Sequence, residues 1–286
     1  MRLRGTAVAW RPTIAELLFE YAVAGDLGFT EVIAENMHPD RIPDELRALP
    51  VPIVPHGVTL GLGGAELPDP DRLRHLADLA GALDSPLVSE HVAFVRAADT
   101  PDALHPDVLE AGHLLPPPRT RESLDVLVAN VRAAQAALPV PLAVENIAAL
   151  FTWPEDTIDE ADFLTELVER TGVSLVLDVA NLFASATARG SDAGADLRRF
   201  PLEAVAYVHI AGGEFRTVDG ENLYLDTHGH DMVEPVLDLL TELAGLYTDG
   251  PLPGVMLERD TDVTPEVVRP EYDALRRAVA REVSHG

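Results

Sequence analysis

The residues of this chain that can do chemistry recur at one kind of place, the end of an apolar run. VPIVPH stops at His56, PLVSEH at His91, PLAVEN at Glu145, SLVLDVAN at Asp178, VAYVHI at His209 and GVMLE at Glu258. LYLDTHGH adds Asp226 and His228, two positions apart, and an extended segment there would project both to the same side. Imidazoles and carboxylates together are ligands for iron, manganese or zinc. Each residue alone has a plainer reading, since a lone strand-end His is commonly a hydrogen-bonded pocket residue and a lone buried acid commonly pairs with Arg. The set does not, because so many uncompensated polar groups are costly to bury together. A mononuclear site uses three or four protein ligands, so four histidines and four carboxylates imply two or three ions.

Further residues stand close to these. Asn146 and Asn181 each follow a proposed ligand, and either can coordinate or orient the neighbouring carboxylate. Glu31 and Glu35 flank the end of another run and fit the same role or a structural one, and His230 closes the DTHGH segment. His38, His75, His105 and His285 read as ordinary loop or surface residues, and His113 stays open. HGVTLGLGG is glycine-rich but lacks the GK[ST] of a P-loop, and is read as backbone room around the site.

These ligands need a scaffold that brings distant run ends together. Eight Val/Ile/Leu-rich runs, Thr6–Trp10, Thr30–Glu35, Val51–His56, Leu87–His91, Pro141–Glu145, Val173–Asp178, Val205–Ile210 and Gly254–Glu258, alternate with amphipathic stretches. Most are continuous rather than alternating, as strands buried on both faces are. Thr120 opens one helical stretch with Leu124, Leu127, Val128 and Val131 on one face. Asp159 opens another and Gly172 stops it, while Val233–Leu243 and Pro270–Val283 form two more. Eight such units predict a single α/β domain over 1–286, a (β/α)8 TIM barrel whose strand C-termini converge on one mouth. The doubly wound open sheet is the alternative. The connections Ala93–Arg119 and Ala211–Asp231 read as long loops, of the kind that carry function or disorder.

Composition narrows the chemistry. The 286 residues include no cysteine, and the 21 basic side chains are all arginine. This excludes a disulfide, a thiolate nucleophile, a zinc finger, a lysine Schiff base and a P-loop lysine. The net charge of −27 makes nucleic acid a poor partner. It reads first as a solvated acidic surface, and can also favour a basic peptide leader or partner. No apolar stretch reaches the roughly 18 residues of a membrane span. Arg11 closes the first apolar run too early for a signal peptide, so a soluble cytoplasmic protein is expected.

At HGVTLGLGG, SEHVAF, LLPPPRT, ENIAALF, LDVANL, HIAGG, DTHGH and LERD the chain resembles the multinuclear non-heme iron-dependent oxidative enzymes, from about Thr6 to Asp260. The resemblance implies a xylose-isomerase-like TIM barrel holding two or three irons, mixed Fe2+/Fe3+, at its mouth. It implies oxygen as co-substrate, a ribosomally made precursor peptide as substrate and a partner protein that presents the leader. The implied ligands are His56, His91, Glu145, Asp178, His209, Asp226, His228 and Glu258, the set already read from the run ends, with Asn181 possible. Two departures bear on the substrate. HIAGG has Gly213 where many members have His, and His113 of HLLP stands where an Asp is common. The rival functions are a trinuclear metal-dependent hydrolase or endonuclease, which the charge disfavours, and a sugar isomerase, which the absent lysine disfavours. A metal-occupied binding subunit without catalysis is the non-enzymatic alternative.

Overall fold

The computed structural model describes residues 1–97, 109–218, 220–248 and 250–280. In chain order the elements are β1 (Thr6–Val8), α1 (Ala15–Ala24), β2 (Thr30–Ile33), α2 (Asp44–Arg47), β3 (Ile53–His56), α3 (Pro70–Ala82), β4 (Val88–His91), β5 (Phe94–Ala97), β6 (Leu109–Leu115), α4 (Arg121–Ala137) and β7 (Leu142–Glu145). There follow α5 (Glu160–Thr171), β8 (Ser174–Asp178), α6 (Val179–Arg189), α7 (Ala193–Leu197), β9 (Val205–Ala211), β10 (Gly213–Val218), β11 (Glu221–Asp226), α8 (Glu234–Leu246), β12 (Gly254–Glu258) and α9 (Pro265–Ala280).

Eight parallel strands pair in the order β1-β12-β9-β8-β7-β4-β3-β2. The sheet nearly closes. At the β1–β2 seam Gly28 N donates to Thr6 O (2.8 Å), Trp10 N to Glu31 O (2.8 Å) and Thr30 Oγ1 to Val8 O (2.7 Å). This is the expected α/β barrel, and the strands fall within the eight apolar runs, apart from one residue at the end of β9. Helices cover the outside, so β3, β4, β7, β9 and β12 are buried at every position. That explains why their sequences are continuously apolar rather than alternating.

Local signals set the helix ends. The Thr120 side chain accepts from Ser123 N and caps α4, whose Leu124, Leu127, Val128 and Val131 are buried. Gly172 takes the left-handed conformation (φ +68°) that ends α5 and turns the chain into β8. Asp159 precedes α5 as expected, but its carboxylate pairs with Arg199 instead of capping the helix.

Two expectations are corrected. The last helix opens at Pro265, not Pro270; Pro265 fits the first helical position, where its missing N–H costs nothing, and Val283 lies outside the described residues. The connections Ala93–Arg119 and Ala211–Asp231 are not plain loops: each contains an antiparallel hairpin, β5–β6 and β10–β11. The Asp-Gly pair at 219–220, between runs of strand-forming residues, was a hairpin signal in the sequence, and Gly220 has the required positive φ (+88°). Both hairpins follow the C-terminal end of a barrel strand and so stand at the mouth. Among the described residues no helix is long and apolar enough to cross a membrane.

Candidate metal centre

Six of the strand-end residues meet at the mouth. His56 ends β3, His91 β4, Glu145 β7, Asp178 β8 and Glu258 β12, while His209 lies near the end of β9. All are buried. Ligand atoms of His56, His91 and Glu145 all lie within 4.8 Å of one another, and so do those of Glu145, Asp178, His209 and Glu258. The two groups share Glu145.

The hub is Glu145 Oε2, which lies 3.2 Å from His209 Nδ1, 3.5 Å from His56 Nε2 and 3.7 Å from His91 Nε2. His209 Nδ1 is also 3.3 Å from Glu258 Oε2. Two ligands each about 2.1 Å from one ion stand roughly 3–3.5 Å apart, so these separations fit metal ligands. As hydrogen bonds they are misaligned: Glu145 Oε2, Asp178 Oδ2 and His209 Nδ1 are buried with no hydrogen-bond partner among the described residues.

The outer nitrogen of each ring is held. His91 Nδ1 donates to Gly57 O (3.1 Å), an atom that can only accept. His209 Nε2 lies 3.3 Å from Glu31 Oε2 and His56 Nδ1 lies 2.9 Å from Ser89 Oγ. Tyr207 Oη joins the two latter pairs, 2.5 Å from Glu31 Oε2 and 2.7 Å from Ser89 Oγ. Tyr207 Oη thus stands as donor between Glu31 and Ser89, and Ser89 Oγ meets His56 Nδ1 at the end of the line. His91, with its proton on Nδ1, therefore turns the Nε2 lone pair toward Glu145 Oε2, and His56 Nε2 faces the same oxygen. Outer partners of this kind set ring orientation and tautomer in metal sites.

Electrostatics make the same demand for positive charge. Burial lowers the His91 pKa to about 4 against the pull of Glu145, so the ring is neutral near pH 7. Burial also opposes a charge on His209, but Glu258, Glu31 and Glu145 together push its pKa well above the ordinary value. Burial, followed by Asp226 and Glu145, raises Asp178 well above the carboxylate range. Protons on His209 and Asp178 thus meet part of a demand that a cation would meet in full. A lone pair on neutral His91 aimed at a carboxylate oxygen is left unmatched, and a metal ion between the two fits it. The residues present therefore fit a metal.

The other expected residues occupy distinct places. Asp226 and His228 stand outside both groups, with His228 Nε2 2.6 Å from Asp226 Oδ2. The segment is not extended, because His228 has φ +50°; the two side chains meet each other instead of projecting in parallel. They remain beside the cluster: Asp226 Oδ1 is buried without a partner, and His228 Nδ1 lies 3.8 Å from Glu258 Oε2. Asn181 Nδ2 reaches Glu145 Oε1 (3.4 Å), and its backbone N–H donates to Asp178 Oδ1 (2.6 Å), which leaves Oδ2 for the site. Asn146 clamps β7 to β8, its Nδ2 donating to Asp178 O and its Oδ1 accepting from Asp178 N.

Glu31 supports His209, as described. Glu35 is turned away, accepting from Val58 N and Thr59 Oγ1. His230 is half-exposed, with Nδ1 2.7 Å from Thr227 Oγ1. His75 Nε2 bonds Ala34 O, His38 and His113 are exposed, and His105 and His285 lie outside the described residues. Sequence reasoning missed Ser89, Tyr207 and Asp260, whose Oδ2 is 3.5 Å from His228 Nδ1. Ser89 and Tyr207 sit two residues before His91 and His209 on the same faces of their strands, a period-two signal that could have found them.

A nearly closed (β/α)8 barrel with a buried His/carboxylate cluster at its C-terminal mouth defines the class: a xylose-isomerase-like barrel carrying a candidate metal centre. The fold is similar to that of 3-keto-D-glucoside 4-epimerase, YcjR, from E. coli, with TM-score 0.55 and 12% identity over 96% of this chain and 98% of that one. It is also similar to a putative xylose isomerase from Rhodospirillum rubrum, with TM-score 0.55 and 16% identity over 96% and 98%. Identities so low show the fold alone. The chain itself belongs to the family described as RiPP precursor modification enzyme MbnB/TglH/ChrH, whose model matches residues 5–280. A UPF0276 protein of Streptomyces avermitilis is 50% identical over 281 residues, covering 97% of this chain and 55% of that protein, so the chain spans about half of that relative's length. A UPF0276 protein of Caulobacter vibrioides is 33% identical over 262 residues, covering 87% and 88%.

Proposed function

We propose that this chain is an iron-dependent oxidative enzyme that uses oxygen to modify a residue of a ribosomally made precursor peptide, with a leader-binding partner protein. Membership of a family of precursor modification enzymes supports the peptide substrate. The observation that carries the metal is the convergence of the inner ring nitrogens of His56, His91 and His209 on the unpartnered Glu145 Oε2.

His56, His91, Glu145, Asp178, His209 and Glu258 would hold two ions, with Asp226 and His228 able to hold a third. Iron in that position supplies the one-electron chemistry that dioxygen requires. The chain's own contribution is positioning. Glu31, Ser89 and the Gly57 carbonyl hold the outer imidazole nitrogens, so the inner ones face the cluster. Asn181 and the start of α6 hold one oxygen each of Glu145 and Asp178, so the other oxygen of each faces inward. The purely oxygen and nitrogen ligand set suits iron, and with no cysteine in the chain no thiol of its own competes with the substrate for the oxidant.

Metal analysis and absorption spectroscopy after anaerobic purification test the proposal. Iron with charge-transfer bands, and oxygen consumption coupled to mass change in a precursor peptide, are expected. Zinc alone would favour a hydrolase, and a metal-free active protein would overturn the site.

A further inference from the structure

Three neighbouring barrel strands, β2, β3 and β4, end side by side at the mouth. The turn after β2 carries Glu35, the chain leaves β3 through Gly57 and Val58, and β4 ends at His91. One peptide unit joins the three. The Gly57 carbonyl accepts from His91 Nδ1 (3.1 Å), and the Val58 N–H, the other half of the same unit, donates to Glu35 Oε1 (2.9 Å). The unit is trans, and a planar trans peptide points its C=O and its N–H in opposite directions. Glu35 and His91 therefore hold it from opposite sides.

The unit has little freedom to turn. Gly57 N–H donates to Ser89 O (2.8 Å), Thr59 Oγ1 donates to the same Glu35 oxygen (2.7 Å), and Leu60 N–H donates to Glu90 Oε1 (3.2 Å). A Cβ at position 57 would stand only 3.0 Å from Glu90 Oε2, so glycine lets the carboxyl pack against this segment. Glu35 belongs to neither ligand group, and its link to the cluster runs through this peptide.

Hydrogen bonds in series polarise one another. A carboxylate drawing on the Val58 N–H makes the Gly57 oxygen a stronger acceptor, which in turn draws on the His91 Nδ1–H. An imidazole held this way is a better electron-pair donor at its inner nitrogen. That nitrogen, His91 Nε2, lies 3.7 Å from Glu145 Oε2. Metal-bound histidines commonly donate the outer N–H to a carboxylate or to a backbone carbonyl; here the two stand one behind the other.

We infer that Glu35 is a positioning residue for His91: through the Gly57–Val58 peptide it fixes the ring's Nδ1–H tautomer and orientation, and so presents Nε2 to the ion. The inference rests on the metal-centre reading proposed above.

The test uses Glu35→Ala and Glu35→Gln in the full chain, first metal-free and then titrated with Zn2+ or Co2+ alone. Glu35 is exposed, so its replacement leaves the packed core intact. Nitrogen-15 NMR of the metal-free parent should show His91 as the Nδ1–H tautomer. In Glu35→Ala that Nδ1–H resonance should shift and exchange faster with water. Zn2+ should bind about 2- to 10-fold more weakly, less than the loss of a direct outer partner because a peptide stands between, and the Co2+ visible spectrum should shift. Glu35→Gln keeps an acceptor oxygen without the charge and should lie between parent and Ala in each readout. A Glu35→Ala protein with the parent's His91 resonance and Zn2+ affinity within twofold, whatever its melting temperature, would overturn the inference. If the Ala variant does not fold, the same parent-like result in Glu35→Gln overturns it. A parent that binds neither ion would instead overturn the metal-centre reading, a separate failure, since the His91 resonance is read without metal.

Discussion

Replacing Tyr207 by Phe cuts a hydrogen-bonded chain that joins two imidazoles of the cluster: His209, Glu31, Tyr207, Ser89, His56. The residue is fully buried and its hydroxyl makes two short contacts, 2.5 Å to Glu31 and 2.7 Å to Ser89. Losing both should cost about 1–3 kcal/mol of stability, one bond being to a carboxylate. In a chain of this size each kcal/mol is worth about 2 °C, so the melting temperature should fall by about 2–6 °C. The larger effect should be on metal binding. With Tyr207 gone, Glu31 and Ser89 lose the group that ties them together, so the His209 and His56 rings they contact are less firmly held toward the ion. Outer partners of this kind are worth about 10- to 100-fold in metal affinity. Chelator competition with the metal-free protein measures the affinity, and thermal unfolding measures the stability. Ser89→Ala should act in the same direction, and the double variant should be little worse than the poorer single one, because both cut the same chain. A Tyr207→Phe protein that loses stability but binds metal within twofold of the parent would refute the role given to this chain.

Three further outcomes are expected. Glu145→Gln keeps the shape of the hub but removes the charge shared by both ligand groups, so metal retained through purification should fall to less than about a tenth, with elemental analysis as the readout. His230→Ala should keep metal within about threefold, because His230 is half-exposed and turned to Thr227; a tenfold loss would make it a ligand. At the start of α5, burial raises the Glu160 carboxyl despite the opposing pull of Arg189 and Arg119. The unfolded chain therefore loses this proton first as pH rises. Stability present below the ordinary Glu value of about 4.3 is lost between that value and the raised folded one. Glu160→Gln should thus gain stability relative to the parent from pH 4 to 7 in denaturant unfolding, and a difference independent of pH would show this wrong.

Much of the scaffold was legible because barrel physics is local. A strand covered on both faces must be apolar throughout, so the eight runs stood out and their ends located the mouth. Helix signals such as Thr120 and Gly172 act within one turn and were readable for the same reason. The hairpins were harder. Their strands alternate and are partly exposed, and only the Asp-Gly pair at 219–220 advertised one of them.

The sequence by itself determined the composition of the site: nitrogen and oxygen ligands only, no lysine or thiol, and which strand ends carry them. Only the tertiary structure decided which ligands meet. Asp226 and His228 were read as parallel neighbours, but the left-handed backbone at His228 turns them onto each other. Glu145 became the hub because β7 sits between β4 and β8, so its carboxylate reaches both ligand groups. The partners that orient His56 and His209 are tied together by Tyr207, which bridges β2 and β4 from β9 and lies 118 residues from one partner and 176 from the other. Strand-end chemistry is written along the chain. Its wiring depends on distances across the barrel, which no local pattern encodes.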